Sequence, residues 1–270
     1  MKIKTTAFFL GALLTMTASA QTKIVIKGSD TLGAKMVPQL AEAYKAAGHE
    51  VDFEIAAEGS STAFTSLLSG TCEIGMSSRD VKDSEKDSFT AAGKDLIEHV
   101  AAWDMIAVIV NKDSGVRDLN MKQIEEIFTG GVSNWSELGG TAGPISIYTR
   151  NTSSGTYKSF QEMAMNKRDY GANTQKMAGN EQIAGEVATN PNGIGYVGLA
   201  YAGKDGVKAV KVAGVSAKPR NKAEYPLSRK LYYYTLGEPT GEVKKFLEWA
   251  MTSKEASEVI DRVGFIPVAE

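Results

Sequence analysis

The sequence predicts an α/β protein built from mixed, mostly parallel sheets flanked by helices. Two observations predict it. Short β-branched or aromatic runs alternate with helix-period patterns from near the start of the chain to its end. The junctions leading from these runs into the helices are short and rich in Gly, Ser and Thr. Alternation of this kind buries a sheet beneath layers of helix.

The first strand is KIVIK at 23–27, broken at Gly28. The next segment carries Leu32, Met36, Leu40 and Ala43 at helical spacing and stops at Gly48; Pro38 within it implies a kink or a late start. VDFEIAA at 51–57 alternates like a strand, and EGSS then leads into a short helix ending at Gly70. EIGMS at 73–77 is a further strand, followed by the helical DSEKDSFTAAG. The apolar run HVAAWDMIAVIV at 99–110 is strongly β-prone and ends in the turn residues NKDSG. Asn120 caps a helix with Ile124, Ile127 and Phe128 on one face. PISIYT at 144–149, IGYVGL, VKAVKV and KLYYYT at 230–235 are strands. SSGTYKSFQEMAM and NEQIAGEVATNPNG are helices, and TGEVKKFLEWAMTS and SKEASEVIDRVG are two more that close the chain.

The N-terminus sets the compartment. MKIKTTAFFLGALLTMTASA has Lys2 and Lys4, an apolar run from Ala7 to Leu14 and then Ala18-Ser19-Ala20, the pattern of a cleaved secretory signal peptide over 1–20. The run is too short to span a bilayer. Cleavage removes two lysines and takes the formal charge from −2 to −4. An acidic mature chain with dispersed basic residues does not suit nucleic acid. About 250 residues remain, enough for one large domain or two ordinary ones. The single Cys72 is expected to be a small buried apolar residue. His49 and His99 sit in no metal or nucleophile motif, and HExxH, CxxC and GxSxG are absent. No catalytic residue, metal ligand or cofactor is expected.

The junctions point to an anion. Gly28-Ser29-Asp30-Thr31 and Glu58-Gly59-Ser60-Ser61 each join a strand to a helix. Ser77-Ser78-Arg79 ends a third strand; Arg150 ends a fourth, and Ser153-Ser154-Gly155-Thr156 opens its helix. Helix N-termini offer unpaired N–H groups and a partial positive charge. Gly admits a close approach, hydroxyls add neutral donors, and Arg supplies a forked cation matched to an oxyanion. In such folds ligands bind beyond the carboxyl ends of strands. Any one of these stretches is equally an ordinary helix cap; four together with two arginines are not.

These residues resemble the periplasmic phosphate-binding proteins of high-affinity phosphate ABC transporters. The resemblance rests on GSDT, EGSSTAF, IGMSSRD, AAWDMIAVIVN, IEEIFTGGVSNWSELGG, RNTSSGT, NPNGIGYVGLAYAG and YPLSRKLYYYT, and covers essentially the whole mature chain. It implies a two-lobed periplasmic-binding-protein fold of type II with two hinge crossings and phosphate held in the cleft. It further implies capture of inorganic phosphate in the periplasm, delivery to an inner-membrane ABC transporter permease, no enzymatic activity and a monomeric state. Thr31, Ser60, Arg150, Ser154, Gly155 and Thr156 match the family's anion-binding pattern. With the junction residues Ser29, Asp30, Ser61, Ser78 and Arg79, they form the expected phosphate-binding set. Two positions depart from the pattern. Ser78 stands where some members have an Asp that accepts the phosphate proton, leaving Asp30, or else Glu58, as the acceptor. Arg150 lacks the acidic neighbour that often accompanies it, since Asn151 and Thr152 follow. Taking the two long apolar strands as the crossings gives lobe one as 21–104 plus 230–270 and lobe two as 105–229. Trp135 is expected to pack within lobe two, and Tyr232, Tyr233 and Tyr234 to alternate faces of a strand. Another oxyanion such as sulfate or molybdate, a sensory binding role and, less readily, a phosphatase are the competing functions.

Overall fold

The computed structural model describes residues 22–268, so the segment read as a signal peptide lies outside the described residues. The first part of the chain runs β1 (Thr22–Gly28), α1 (Asp30–Gly33), α2 (Met36–Ala46), β2 (Val51–Ala57), α3 (Ser60–Ser69), β3 (Ile74–Ser77), α4 (Asp83–Ala91) and β4 (Leu96–Asn111). It continues with β5 (Asp118–Leu119), α5 (Met121–Thr129), β6 (Ser146–Arg150), α6 (Gly155–Ala164), β7 (Gln175–Met177), α7 (Asn180–Thr189) and β8 (Gly193–Gly198). β9 (Val207–Ala209), β10 (Lys211–Val212), β11 (Ser228–Leu236), α8 (Gly241–Thr252) and α9 (Lys254–Arg262) complete it.

Most of these elements follow the sequence pattern. The break expected near Pro38 falls between α1 and α2, and Pro38 sits in the first turn of α2, where its missing N–H is not needed. VKAVKV is two strands rather than one: β9 pairs with β4, and β10 pairs with β5. β5 and β7 are too short to carry a periodic signal.

The sheet order is β2-β1-β3-β11-β4-β8-β6-β7, with β9 also on β4. β1 is parallel to β2 and β3, and β6 is parallel to β7 and β8. β11 and β4 between them are antiparallel to each other and to the strands beside them. The sheet is thus parallel on its flanks and antiparallel at its centre, because the chain runs out along β4 and returns along β11. β4 joins the two halves: Leu96–Met105 pairs with β11, and Ile106–Val110 pairs with β8.

The largest buried cluster runs through both halves, taking in Ile24, Ile26 and Ile74 from one and Ile109, Ile183 and Val197 from the other, and a smaller cluster lies within each. Met105, Ile124, Phe128, Trp135, Phe160 and Tyr196 pack in one cluster, with the Trp135 indole N–H on Asn192 O. Phe64, Phe89, Tyr232 and Tyr234 pack in another, while Tyr233 points to the opposite face and joins the largest cluster. Cys72 is buried, as its apolar surroundings imply.

Candidate binding site

The four Gly/Ser/Thr junctions meet at one place. Thr31, at the start of α1, lies with its Oγ1 2.9 Å from Thr156 Oγ1 on α6. Thr156 Oγ1 is 3.4 Å from Ser78 Oγ, just beyond β3, and Ser78 Oγ is 3.2 Å from Ser60 Oγ at the start of α3. All four residues are buried. Each hydroxyl follows a strand, so the fold collects four rotatable donors at the carboxyl ends of strands from both halves of the sheet.

The halves touch through backbone at this point. Gly59, at φ +149°, opens α3 with Ser153 O lying where a side chain would stand, and Ser61 N donates to that carbonyl at 3.1 Å. Gly155 opens α6 against Ser60 and Ser78. A Cβ there would lie 2.7 Å from Ser78 Oγ and 2.9 Å from Ser60 Cβ, so only glycine fits. Ser29 and Ser154 are buried beside the cluster, but their hydroxyls act as helix caps, accepting from Thr31 N and Tyr157 N.

Arg150 ends β6 with 1% of its side chain exposed. Its Nε and Nη2 donate to Ala178 O. Its Nη1 lies 3.2 Å from Asp30 Oδ2 but is not aligned for a hydrogen bond, and so is a buried charged donor with no acceptor among the described residues. Burial holds the guanidinium below its ordinary range, and the Asp30 carboxylate opposes that effect. Asp30 therefore supplies from the other half the acidic partner that Asn151 and Thr152 do not. Asn180, at the start of α7, gives Asp30 Oδ2 two more donors, from N at 3.0 Å and Nδ2 at 2.7 Å. Asn180 Oδ1 accepts from Gly198 N, which fixes the amide so that Nδ2 faces Asp30 and Thr31 Oγ1. The Tyr201 hydroxyl donates to Thr31 O at 3.0 Å, and burial raises its pKa so that it stays a donor.

Two of the expected residues are not brought to the cluster. Arg79 is turned away because Glu85 takes its guanidinium with two oxygens, at 2.6 and 2.8 Å. Ser61 follows it, its Oγ 3.4 Å from Arg79 Nη2. Glu58 is exposed, so of the two carboxylates expected to accept the proton only Asp30 lies against the cluster. Arg229, Asp104 and Asn180 were not anticipated. The first two form a buried pair, with Arg229 Nη2 2.8 Å from Asp104 Oδ2 and 3.0 Å from Thr156 Oγ1. A lone Asp inside the apolar run at 99–110 is the signal that could have pointed to such a partner.

The fold is that of a solute-binding protein, with hydroxyl and guanidinium donors gathered between two half-sheets. Residues 15–255 match the PBP superfamily domain, and the chain belongs to that family. It is 32% identical over 253 residues to the phosphate-binding protein PstS of Bacillus subtilis (strain 168), covering 93% of this chain and 82% of that one. It is 34% identical over 265 residues to PstS of Pseudomonas aeruginosa, covering 89% and 81% respectively. A solved Clostridium perfringens structure with bound phosphate, assigned as the substrate-binding protein of a phosphate ABC transporter, superposes with a TM-score of 0.83 at 35% identity. The match covers 92% of this chain and all of that one. The family resemblance read from the sequence is borne out.

Proposed function

We propose that this protein binds inorganic phosphate between two lobes and delivers it to an ABC transporter, catalysing no reaction. The observation that carries this is the buried Arg150 Nη1, which has no aligned hydrogen-bond acceptor and is joined through Asp30 and Asn180 to Thr31, one of four converging hydroxyls. A buried guanidinium N–H without an aligned acceptor is costly, and an oxyanion satisfies it. The similarity to PstS proteins and to a phosphate-bound structure favours phosphate among the oxyanions. Thr31, Ser60, Ser78, Thr156, the first turn of α6 at Gly155 and Arg150 contact the anion; Ser29 and Ser154 shape the loops. Asp30 Oδ2 is taken by Arg150 and Asn180, and Oδ1, which receives no donor among the described residues, accepts the phosphate proton.

The lobes are 21–104 plus 230–270 and 105–229, and β4 and β11 are the crossings about which they close. The chain is exported to the periplasm, loses residues 1–20, works as a monomer and docks on an inner-membrane permease. No helix among the described residues is long and apolar enough to cross a membrane.

Calorimetric titration of phosphate, sulfate and molybdate into phosphate-stripped protein tests the reading. Phosphate binds most tightly if it holds. Tighter binding of sulfate or molybdate replaces phosphate by another oxyanion, and no binding of any of the three rejects the proposal. Hydrolysis of a chromogenic phosphoester by the purified protein would overturn the non-enzymatic part.

A further inference from the structure

Arg229 and Asp104 face each other across β11 and β4 as direct register partners. Arg229 is 7% exposed and Asp104 is fully buried. Asp104 Oδ2 accepts from Arg229 Nε at 3.2 Å and Nη2 at 2.8 Å, while Oδ1 accepts from Leu199 N at 3.0 Å. The pair is therefore held by the two crossing strands themselves. Burying two charges is not by itself a gain in stability, since desolvation offsets much of their attraction. What distinguishes this pair is where the remaining guanidinium donors go. Nη1 donates to Ser78 O at 2.8 Å, and Nη2 donates to Thr156 Oγ1 at 3.0 Å. Ser78 follows β3 in one half of the sheet, and Thr156 opens α6 in the other. One planar group anchored on the crossings thus holds a backbone carbonyl of one half and a cluster hydroxyl of the other.

The second contact also sets a proton. A hydroxyl oxygen that accepts from a guanidinium turns its own proton elsewhere. Thr156 Oγ1 is in that position, so its O–H is free to donate to Thr31 Oγ1 or to a bound anion. We propose that Arg229, fixed by Asp104, is a positioning residue that latches the closed cleft and orients the Thr156 hydroxyl as a donor to the ligand. This rests on the phosphate-binding reading. The latch makes its contacts to both halves only when they are together, so it acts on ligand release more than on capture.

The test compares wild type, Arg229→Lys and the double variant Asp104→Asn/Arg229→Gln. Removing both charges avoids stranding one buried ion, which is the main hazard of either single truncation. Phosphate association and release are followed by stopped-flow tryptophan fluorescence, with Trp103 adjoining Asp104 on β4, and the melting temperature of each stripped protein is recorded. The latch predicts release at least about tenfold faster in the double variant, association within about threefold of wild type and a stripped melting temperature near wild type. Arg229→Lys keeps the charge but loses the fork, so it falls between the two and carries the test if the double variant does not fold. A folded variant that releases phosphate at the wild-type rate overturns the proposal and leaves the phosphate reading standing. A purely structural pair gives that result, with only the melting temperature changed. Failure of wild type itself to bind phosphate overturns both.

Discussion

Gly155→Ala separates closure from folding. In the closed arrangement, the added methyl would lie 2.7 Å from Ser78 Oγ and 2.9 Å from Ser60 Cβ, and closer still to Ser60 Oγ. The Ser60 hydroxyl can rotate away, but its Cβ cannot. Carbon atoms settle at about 3.5–4.0 Å, so the two helix starts must part by about 0.6 Å or more. Forced overpacking of this kind costs about 1–3 kcal/mol. At about 1.4 kcal/mol per tenfold, that is roughly a 5- to 150-fold loss of phosphate affinity. The clash exists only between the halves. Within α6 itself alanine is the better helix former, by about 1 kcal/mol at most, so the stripped protein should melt at or slightly above the wild-type temperature. Calorimetry gives the affinity and differential scanning fluorimetry the stripped stability. Wild-type affinity in Gly155→Ala would refute the argument. A weaker affinity together with a lower stripped melting temperature would show damage to the fold rather than to closure.

Three further outcomes are expected. Arg150→Ala should weaken phosphate binding by roughly 2–5 kcal/mol, with Arg150→Lys a partial rescue, both read by calorimetry. Asp30→Asn should narrow the preference for phosphate over sulfate, because a carboxylate accepts the phosphate proton and repels the unprotonated sulfate; an unchanged ratio removes Asp30 from that role. Burial pushes the Cys72 thiol from its ordinary 9.0 up to about 11. The unfolded thiol ionises first, so this group's contribution to stability is complete below about pH 9 and is lost as pH rises toward 11. Across that range the melting temperature of wild type should fall more steeply with pH than that of Cys72→Ala, and iodoacetamide should label Cys72 only on unfolding.

Much of the site was legible because it is built at junctions. A β-prone run followed by Gly, Ser and Thr marks where a strand ends and a helix begins, and Thr31, Ser60, Ser78 and Thr156 meet because four such ends point the same way. What pairing decides was not legible. Arg79 and Arg150 each follow a strand and look alike in sequence; only the fold places Glu85 against Arg79 and leaves Arg150 Nη1 without an acceptor. Arg229 and Asp104 are 125 residues apart and meet through strand register, which a local pattern does not carry. Asp30 serves Arg150 from across the molecule, a relation invisible beside Asn151 and Thr152. The antiparallel centre of the sheet follows from the direction of β4 and β11, which periodicity alone does not reveal.

The central claim is that the anion sits among four hydroxyls with Arg150 Nη1 as its charged donor. A crystal structure of the stripped protein loaded with arsenate, a tetrahedral analogue of phosphate located by arsenic anomalous scattering, tests it most directly. The account predicts one strong peak within hydrogen-bond distance of Thr31, Ser60, Ser78 and Thr156 hydroxyls and of Arg150 Nη1. A peak beside Arg79 and away from Arg150, or none in this cleft, would contradict it.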